Sequence, residues 1–527
     1  MAQASSTLAL HDTLAGWIAA RLSSRPELAL GTRLAQSLRD AVLQGVIAPG
    51  QRLPATRALA LRLGVARNTL VAVYAQLAAE GFVVAGQGSG TYACKVMPER
   101  VVARPNARPA RAPAKSTGLS SSSPFAPGLS APSLSARGLR YQAHPLHRFW
   151  SREPFCPGLF DADLFPHGLW NRLLAQPLRQ ADAALLGAGE PGGAPALRQA
   201  IAQHVRATRG VRCEAQQVII TDSTAQSLDL IARLLCDPGD RVWIENPCYW
   251  GASQTLSDLG LALHPIDVDA DGVPVPPAAG RQAARVRLAY LTPSHQFPTG
   301  AVMPLARRLD WLAHARQHDM LLIEDDYDSE YRYTGMPFPS LQGLDSDVDA
   351  GGRVLYLGSF SKTMYPGIRV GFMVVPAALA TVFGDASADF YRDGDQLVQH
   401  ALARFMAEGH YAAHVRALRR EFGARREALV QALWQHLPDG LDSPDRLRLL
   451  GGARGVHLTI GLPDAVDDQA LALQCRSAGA TVIPLSVYCV GTLRRGLVLS
   501  YAGSPVPQIA ALVARIAPVI RRGLSQH

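Results

Sequence analysis

Residues 96–150 decide what this chain can fold into. Pro, Ala, Arg, Ser and Gly dominate the stretch, and Ser120 to Ser123 form an unbroken run. Such a composition offers too little apolar surface to offset the entropy of ordering, so it reads as a long flexible linker. Its Arg100, Arg104, Arg108 and Arg111 either add non-specific phosphate contacts or keep the stretch solvated. A linker in that position excludes one continuous core, and 527 residues is already more than a single core usually organises. The expected organisation is a head at 15–95, the linker at 96–150 and a body at 151–527.

Charge divides the same way. Residues 1–117 hold 14 Lys and Arg against 5 Asp and Glu, whereas the remainder holds 38 of each sign. The whole formal charge of +9 therefore lies in the first fifth of the chain. A basic head on a neutral body points to a polyanion partner for the head alone. Seven Cys, scattered and without a C-x-x-C pair, argue against a disulfide framework or a zinc site, and no metal is expected. There is no basic-then-apolar leader and no apolar run of about 18 residues, so the expectation is a soluble cytoplasmic protein without a membrane partner.

The head reads as three helices and a small wing. Leu34, Leu38, Val42 and Leu43 recur at helical spacing, and Gly45 with Pro49-Gly50 ends that helix. Thr56 is placed to cap a short helix carrying Leu59 and Leu63. Gly64 to Thr69 makes a tight turn into another helix with Val73, Tyr74 and Leu77 on its inner face. Helix, short Gly-containing turn and second helix is helix-turn-helix geometry, with Arg67, Asn68 and Thr69 where side chains meet base edges and phosphates. Residues 81–84 and 91–93 pair as a hairpin whose tip is the glycine-rich stretch 86–90.

In the body, short apolar runs at 218–221, 241–245, 286–291, 320–323 and 354–357 alternate with helical patterns, as in an α/β fold with a mainly parallel sheet. Polar residues follow several of these runs, at the carboxyl edge where open α/β sheets bind ligands. Asp222-Ser223-Thr224-Ala225 opens a helix whose free N–H groups suit a phosphate. Tyr249 and the pair Asp325 and Tyr327 follow two further strands. Among 52 basic side chains only three are Lys, and beyond residue 115 the sole amine is Lys362. A guanidinium is always protonated, whereas a partly desolvated ε-amine can condense with an aldehyde. Ser359 and Ser361 precede that amine and Arg369 follows it, which suits a phosphate anchored beside an imine. Together these pieces fit pyridoxal 5′-phosphate, whose ring nitrogen needs a carboxylate to stay protonated.

The ordered submotifs Leu53-Pro54-x-x-Arg57, Leu63-Gly64-Val65-x-Arg67-x-Thr69, Glu80-Gly81 and Gly88-x-Gly90-Thr91 resemble the GntR-type winged helix. That resemblance implies DNA contacts from Arg57, Arg67, Thr69 and the Gly90 backbone. Residues 155–505 resemble fold-type I aminotransferases. Carried over by motif, Lys362 is the Schiff-base lysine, Asp325 faces the pyridine nitrogen, Tyr327 faces the ring hydroxyl and Tyr249 stacks on the ring. Ser359, Ser361, Arg369 and the segment Thr224–Ala225 take the phosphate. The fusion is similar to the MocR/GabR group of bacterial regulators, as are Phe165-Pro166, Arg209-Gly210-Val211 and the segment 292–300. The resemblance implies a PLP-dependent transcription regulator that pairs as a homodimer, binds a double-stranded operator, and senses an amino compound or PLP itself.

Two positions depart from working aminotransferases. Phe297 stands where their N-P-T-G motif has Asn, and Val498 stands where the substrate-carboxylate Arg is common. Arg454, Arg494 or Arg495 could substitute, and the sequence does not choose. Both changes favour sensing over turnover. The alternative is an active aminotransferase with an accessory DNA-binding head.

Overall fold

The computed structural model describes residues 13–22, 28–86, 90–94, 133–179, 185, 187, 189–276, 286–335, 338–345, 352–437 and 447–525. The chain divides into two compact units, residues 1–130 and 131–527.

In the first unit, helical residues 13–22 (α1) and three further helices, α2 (Leu30–Leu43), α3 (Thr56–Leu63) and α4 (Arg67–Ala79), surround one apolar core. Leu34, Leu38, Leu59, Leu70, Val73 and Leu77 are all buried in it, as their spacing requires. Thr56 does not cap α3 but is its first residue; the cap position is Ala55, and no side chain closes that end. Gly64 closes the other end in the left-handed conformation at φ 65°, which sets the tight turn into α4. The buried Tyr74 hydroxyl donates to the Pro54 carbonyl at 2.9 Å, tying α4 to the turn before α3. Strands β1 (Val83–Gly86) and β2 (Gly90–Ala93) pair antiparallel as the wing, Gly86 opposite Gly90. The expected wing-tip residues 87–89 lie outside the described residues.

The second unit begins earlier than the composition implies. Residues 133–150, expected in the linker, are part of it: Ala136–Gln142 is a helix capped by the Ser135 side chain, and Phe149 is buried in a core cluster. The apolar residues Leu146, Phe149 and Trp150 separate this segment from the polar stretch before it. The rest of the expected linker, through residue 132, lies outside the described residues.

The sheet that organises this unit has seven strands in the order β3 (Val218–Thr221), β9 (Gly371–Val374), β8 (Val354–Ser359), β7 (Leu321–Asp325), β6 (Val286–Leu291), β4 (Arg241–Asn246) and β5 (Ala262–Asp267). The pairs from β8 through β5 are parallel, and β9 alone runs antiparallel to its neighbours. Both faces are covered, which is why the inner strands are mostly apolar. In β3, Val218 and Ile220 join a core with helices Pro195–Arg209 and Gln396–Ala407, whereas Ile219 joins the opposite core with helix Thr224–Leu235. A second, antiparallel sheet has the order β10 (Arg448–Leu450), β11 (His457–Gly461), β13 (Gly496–Ser500) and β12 (Ile483–Pro484). Helices His410–His436 and Val506–Ser525 contribute to the core beside it. No described helix is long and apolar enough to cross a membrane.

Candidate functional site

The carboxyl edge of the large sheet carries a cavity of ≈ 490 Å³. Its wall includes Thr224 from the helix that follows β3, Tyr249 just after β4, Asp325 at the end of β7 with Tyr327 beyond it, and Ser359 at the end of β8 with Ser361 and Lys362 beyond it. Arg369, just before β9, completes this group, so eight of the nine residues expected at the cofactor line one cavity. Ala225 does not line it, although it is the second residue of the helix that Thr224 opens. The first N–H groups of that helix have no acceptor within the helix, and the helix dipole favours an anion there. The preceding Ser223, whose side chain caps the helix by accepting from Gln226 N, also lines the cavity. Arg369 is held in the left-handed region at φ 52°, an uncommon conformation for a side-chain-bearing residue and a frequent mark of functional sites.

The run Glu324-Asp325-Asp326 separates into three roles. Glu324 accepts from the Leu341 and Gln342 amides at 2.9 and 3.0 Å. Asp326 pairs with the buried Arg209 guanidinium at 2.7 Å and accepts from Tyr356 at 2.6 Å. Asp325 accepts from the Tyr290 hydroxyl on Oδ2 at 2.6 Å, but its Oδ1 is buried without a partner. Burial and the neighbouring acids push the Asp325 carboxyl up to about 7 despite the Tyr290 bond. An orphaned carboxylate oxygen in a cavity that also holds an amine is what a protonated pyridine nitrogen would satisfy. Lys362 is held below the usual range of an amine by desolvation, which Asp328 partly opposes, and a lowered amine is the more reactive one. Its backbone is anchored where its carbonyl accepts from Tyr331 at 2.6 Å. The residues present therefore fit pyridoxal phosphate: carboxylate, amine, aromatic face and a hydroxyl-lined helix start.

The Tyr327 hydroxyl donates to the His295 carbonyl at 3.0 Å while lining the cavity. His295 Nδ1 lies 3.0 Å from Asp328 Oδ2, and the rings of His295 and His457 are 4.8 Å apart. Phe297 brings no polar atom to the site. Its ring meets Tyr249, Tyr327 and Tyr488 edge-on at 5.9, 5.9 and 5.1 Å. The loop that carries it is held by the buried Glu245, which accepts from Thr292 N at 2.9 Å and Gln296 Nε2 at 3.1 Å. Sequence reasoning missed Leu146 and Trp150, which also line the cavity. No local pattern marks a residue that reaches a site about 200 positions away in the chain.

On the first unit, Arg57, Arg67 and Asn68 are exposed and Thr69 is half-buried. Arg67, Asn68 and Thr69 are the first three residues of α4, and Arg57 is the second of α3. Gly90 is exposed at φ 115°, and an added Cβ there would come within 2.7 Å of Arg52 Nε. Arg52, exposed beside the wing and just before the Leu53–Arg57 submotif, is a further cation on this surface.

Fold and site together define the class: an aminotransferase-fold protein fused to a winged helix-turn-helix unit. Residues 171–516 match the family described as aminotransferase class I and II, and residues 30–93 match the bacterial regulatory proteins of the gntR family. The chain is 37% identical over 473 residues to the probable rhizopine catabolism regulatory protein MocR of Rhizobium meliloti, covering 89% of this chain and 90% of that protein. It is 34% identical to the HTH-type transcriptional regulator TauR of Rhodobacter capsulatus over 93% and 96% of the two chains. Among solved structures, LysN, the α-aminoadipate aminotransferase of Thermus thermophilus complexed with N-(5′-phosphopyridoxyl)-L-leucine, matches with a TM-score of 0.66 and 25% identity, covering 75% of this chain and 98% of that one. The chain belongs to the HTH-type transcriptional regulators that join a GntR-type head to an aminotransferase-like body.

Proposed function

We propose that the body holds pyridoxal 5′-phosphate on Lys362 and reports its occupancy, by the cofactor or by a small amine, to a head that grips a double-stranded DNA operator. The observation that carries the reading is the unpartnered, buried Asp325 Oδ1 in the same cavity as the half-buried Lys362. When bound, the cofactor supplies an aldehyde and an electron-withdrawing ring. The protein's own part is to keep Lys362 poised for condensation, present a carboxylate to the ring nitrogen, hold the phosphate with Ser359, Ser361, Arg369 and the Thr224–Ala225 helix start, and press Tyr249 on the ring. Arg57, Arg67, Asn68, Thr69 and the Gly90 backbone are the proposed DNA contacts. The protein acts in the cytoplasm as a homodimer, since two heads presented together turn the second half-site contact into an effectively intramolecular event. Sensing is favoured over turnover because Phe297 offers no hydrogen bond to the ring hydroxyl and Val498 is an uncharged residue buried in β13.

Removing residues 1–95 separates the two roles. The shortened protein should load cofactor as the full chain does and bind no duplex DNA in a gel-shift titration at moderate salt. DNA binding undiminished by the truncation would contradict the assignment of the head.

A further inference from the structure

We propose that the small ligand read in this pocket is a primary amine that carries no carboxylate. The inference deepens the reading of the body as a cofactor-holding sensor and rests on it.

The cavity wall has two halves. One is taken up by the groups suited to the cofactor, and its cations are Lys362 and Arg369, the latter grouped with the hydroxyls of the phosphate end. The other half, among the described residues, includes Trp150, Phe297, Val456, Ile483, Tyr488 and Ser500. Three are aromatic and two aliphatic. Ser500 donates its hydroxyl proton to the Val456 carbonyl at 3.1 Å. Burial holds Tyr488 well above the usual phenol range, so it stays neutral. His457 lines the cavity as well; its Nε2 lies 3.1 Å from the Pro298 carbonyl, and burial with the neighbouring His295 holds it well below the ordinary histidine range. It is therefore a neutral donor already engaged, not a cation awaiting an anion.

The arginines that the sequence left as candidates are elsewhere. Arg494 Nη1 donates to the Val268 carbonyl at 2.9 Å, and Arg495 Nη1 meets Asp468 Oδ1 at 3.0 Å. Arg454 is not in the cavity wall; the charges around it are those of Arg332, Arg209, Asp328 and Asp326. Val498 is buried in β13 opposite Thr459 and Ile483. A carboxylate entering this half would exchange water for aromatic and aliphatic carbon with no cation to pair it, which is strongly unfavourable. An amine with an apolar or aromatic body loses nothing polar there, and edge-to-face contact with Phe297 and Tyr488 suits a ring.

The test compares matched amines and amino acids on the full-length, cofactor-loaded protein: phenethylamine against phenylalanine, and tyramine against tyrosine. The readouts are the absorbance of the bound cofactor and the melting temperature. Each amine should shift both at a concentration at least about tenfold lower than its amino acid. An amino acid that acts at an equal or lower concentration would overturn the proposal, because a cation must then reach the ligand from outside the wall described. Silence toward all four compounds, with the cofactor absorbance intact, would also overturn it while leaving the cofactor assignment standing. Absence of any cofactor absorbance would instead refute the reading of the site on which the proposal rests.

Discussion

Asp325 keeps one buried carboxylate oxygen without a partner, and its titration should reveal that demand. Its carboxyl is pushed up to about 7 in the fold by burial, against an ordinary value near 3.9. Stability that depends on its neutral form is fully present below about pH 4 and lost as pH rises through about 7, because the unfolded chain gives up the proton first. Cofactor-free wild type should therefore lose denaturant resistance over that window, to which Glu245, raised by burial to about 7, also contributes. In Asp325→Asn the slope should flatten and cofactor affinity should fall by at least about tenfold, a loss on the scale of one charged hydrogen bond. Parallel pH profiles for the two proteins would contradict the assignment. Lys362 was legible from sequence because it is the only amine beyond residue 115. That Asp325 and not Asp326 meets the cavity was legible only through resemblance. The physical reason is that neighbouring strand residues face opposite ways, and Asp326 is turned to the buried Arg209.

At the scale of elements, α4 shows how a packed helix presents its first turn. Leu70, Val73, Tyr74 and Leu77 bury one face while Arg67 and Asn68 stay exposed at the N-terminal end. Neither Arg57 nor Arg67 has an ion-pair partner among the described residues, so each can meet a phosphate or base without first breaking a contact. Arg67→Ala should weaken binding to duplex DNA by about 1–3 kcal/mol or lower the slope of log affinity against log salt by about one, according to whether it meets a base or a phosphate. The cofactor spectrum should not change. An unaltered binding isotherm at every salt concentration would remove Arg67 from the interface. Long periodic helices and the largely buried strands β3, β6 and β8 were readable because their apolar runs are nearly continuous. The second sheet was not, since β10 has three residues and β12 has two, too short for a period to show. Likewise β5, exposed or half-buried along its length at the edge of the sheet, carries a Pro and a weak apolar signal.

For the whole molecule, a basic head apart from a neutral body was legible in the charge asymmetry and the linker composition, but the boundary was not. Residues 133–150 join the second unit and bring Leu146 and Trp150 to the cavity wall. Composition could not show this, because a few apolar residues beside a long polar stretch find their core only in three dimensions. If the body holds the cofactor on Lys362 while the head holds DNA, both must be found on one protein at the same time. The most direct test selects a duplex from a random pool, isolates the protein retained on it, reduces that fraction with borohydride and maps the cofactor label by peptide mass. A label is expected on the peptide containing Lys362, at close to one per chain, in the DNA-bound fraction. A DNA-bound fraction with no label there, or with the label on another residue, would contradict it.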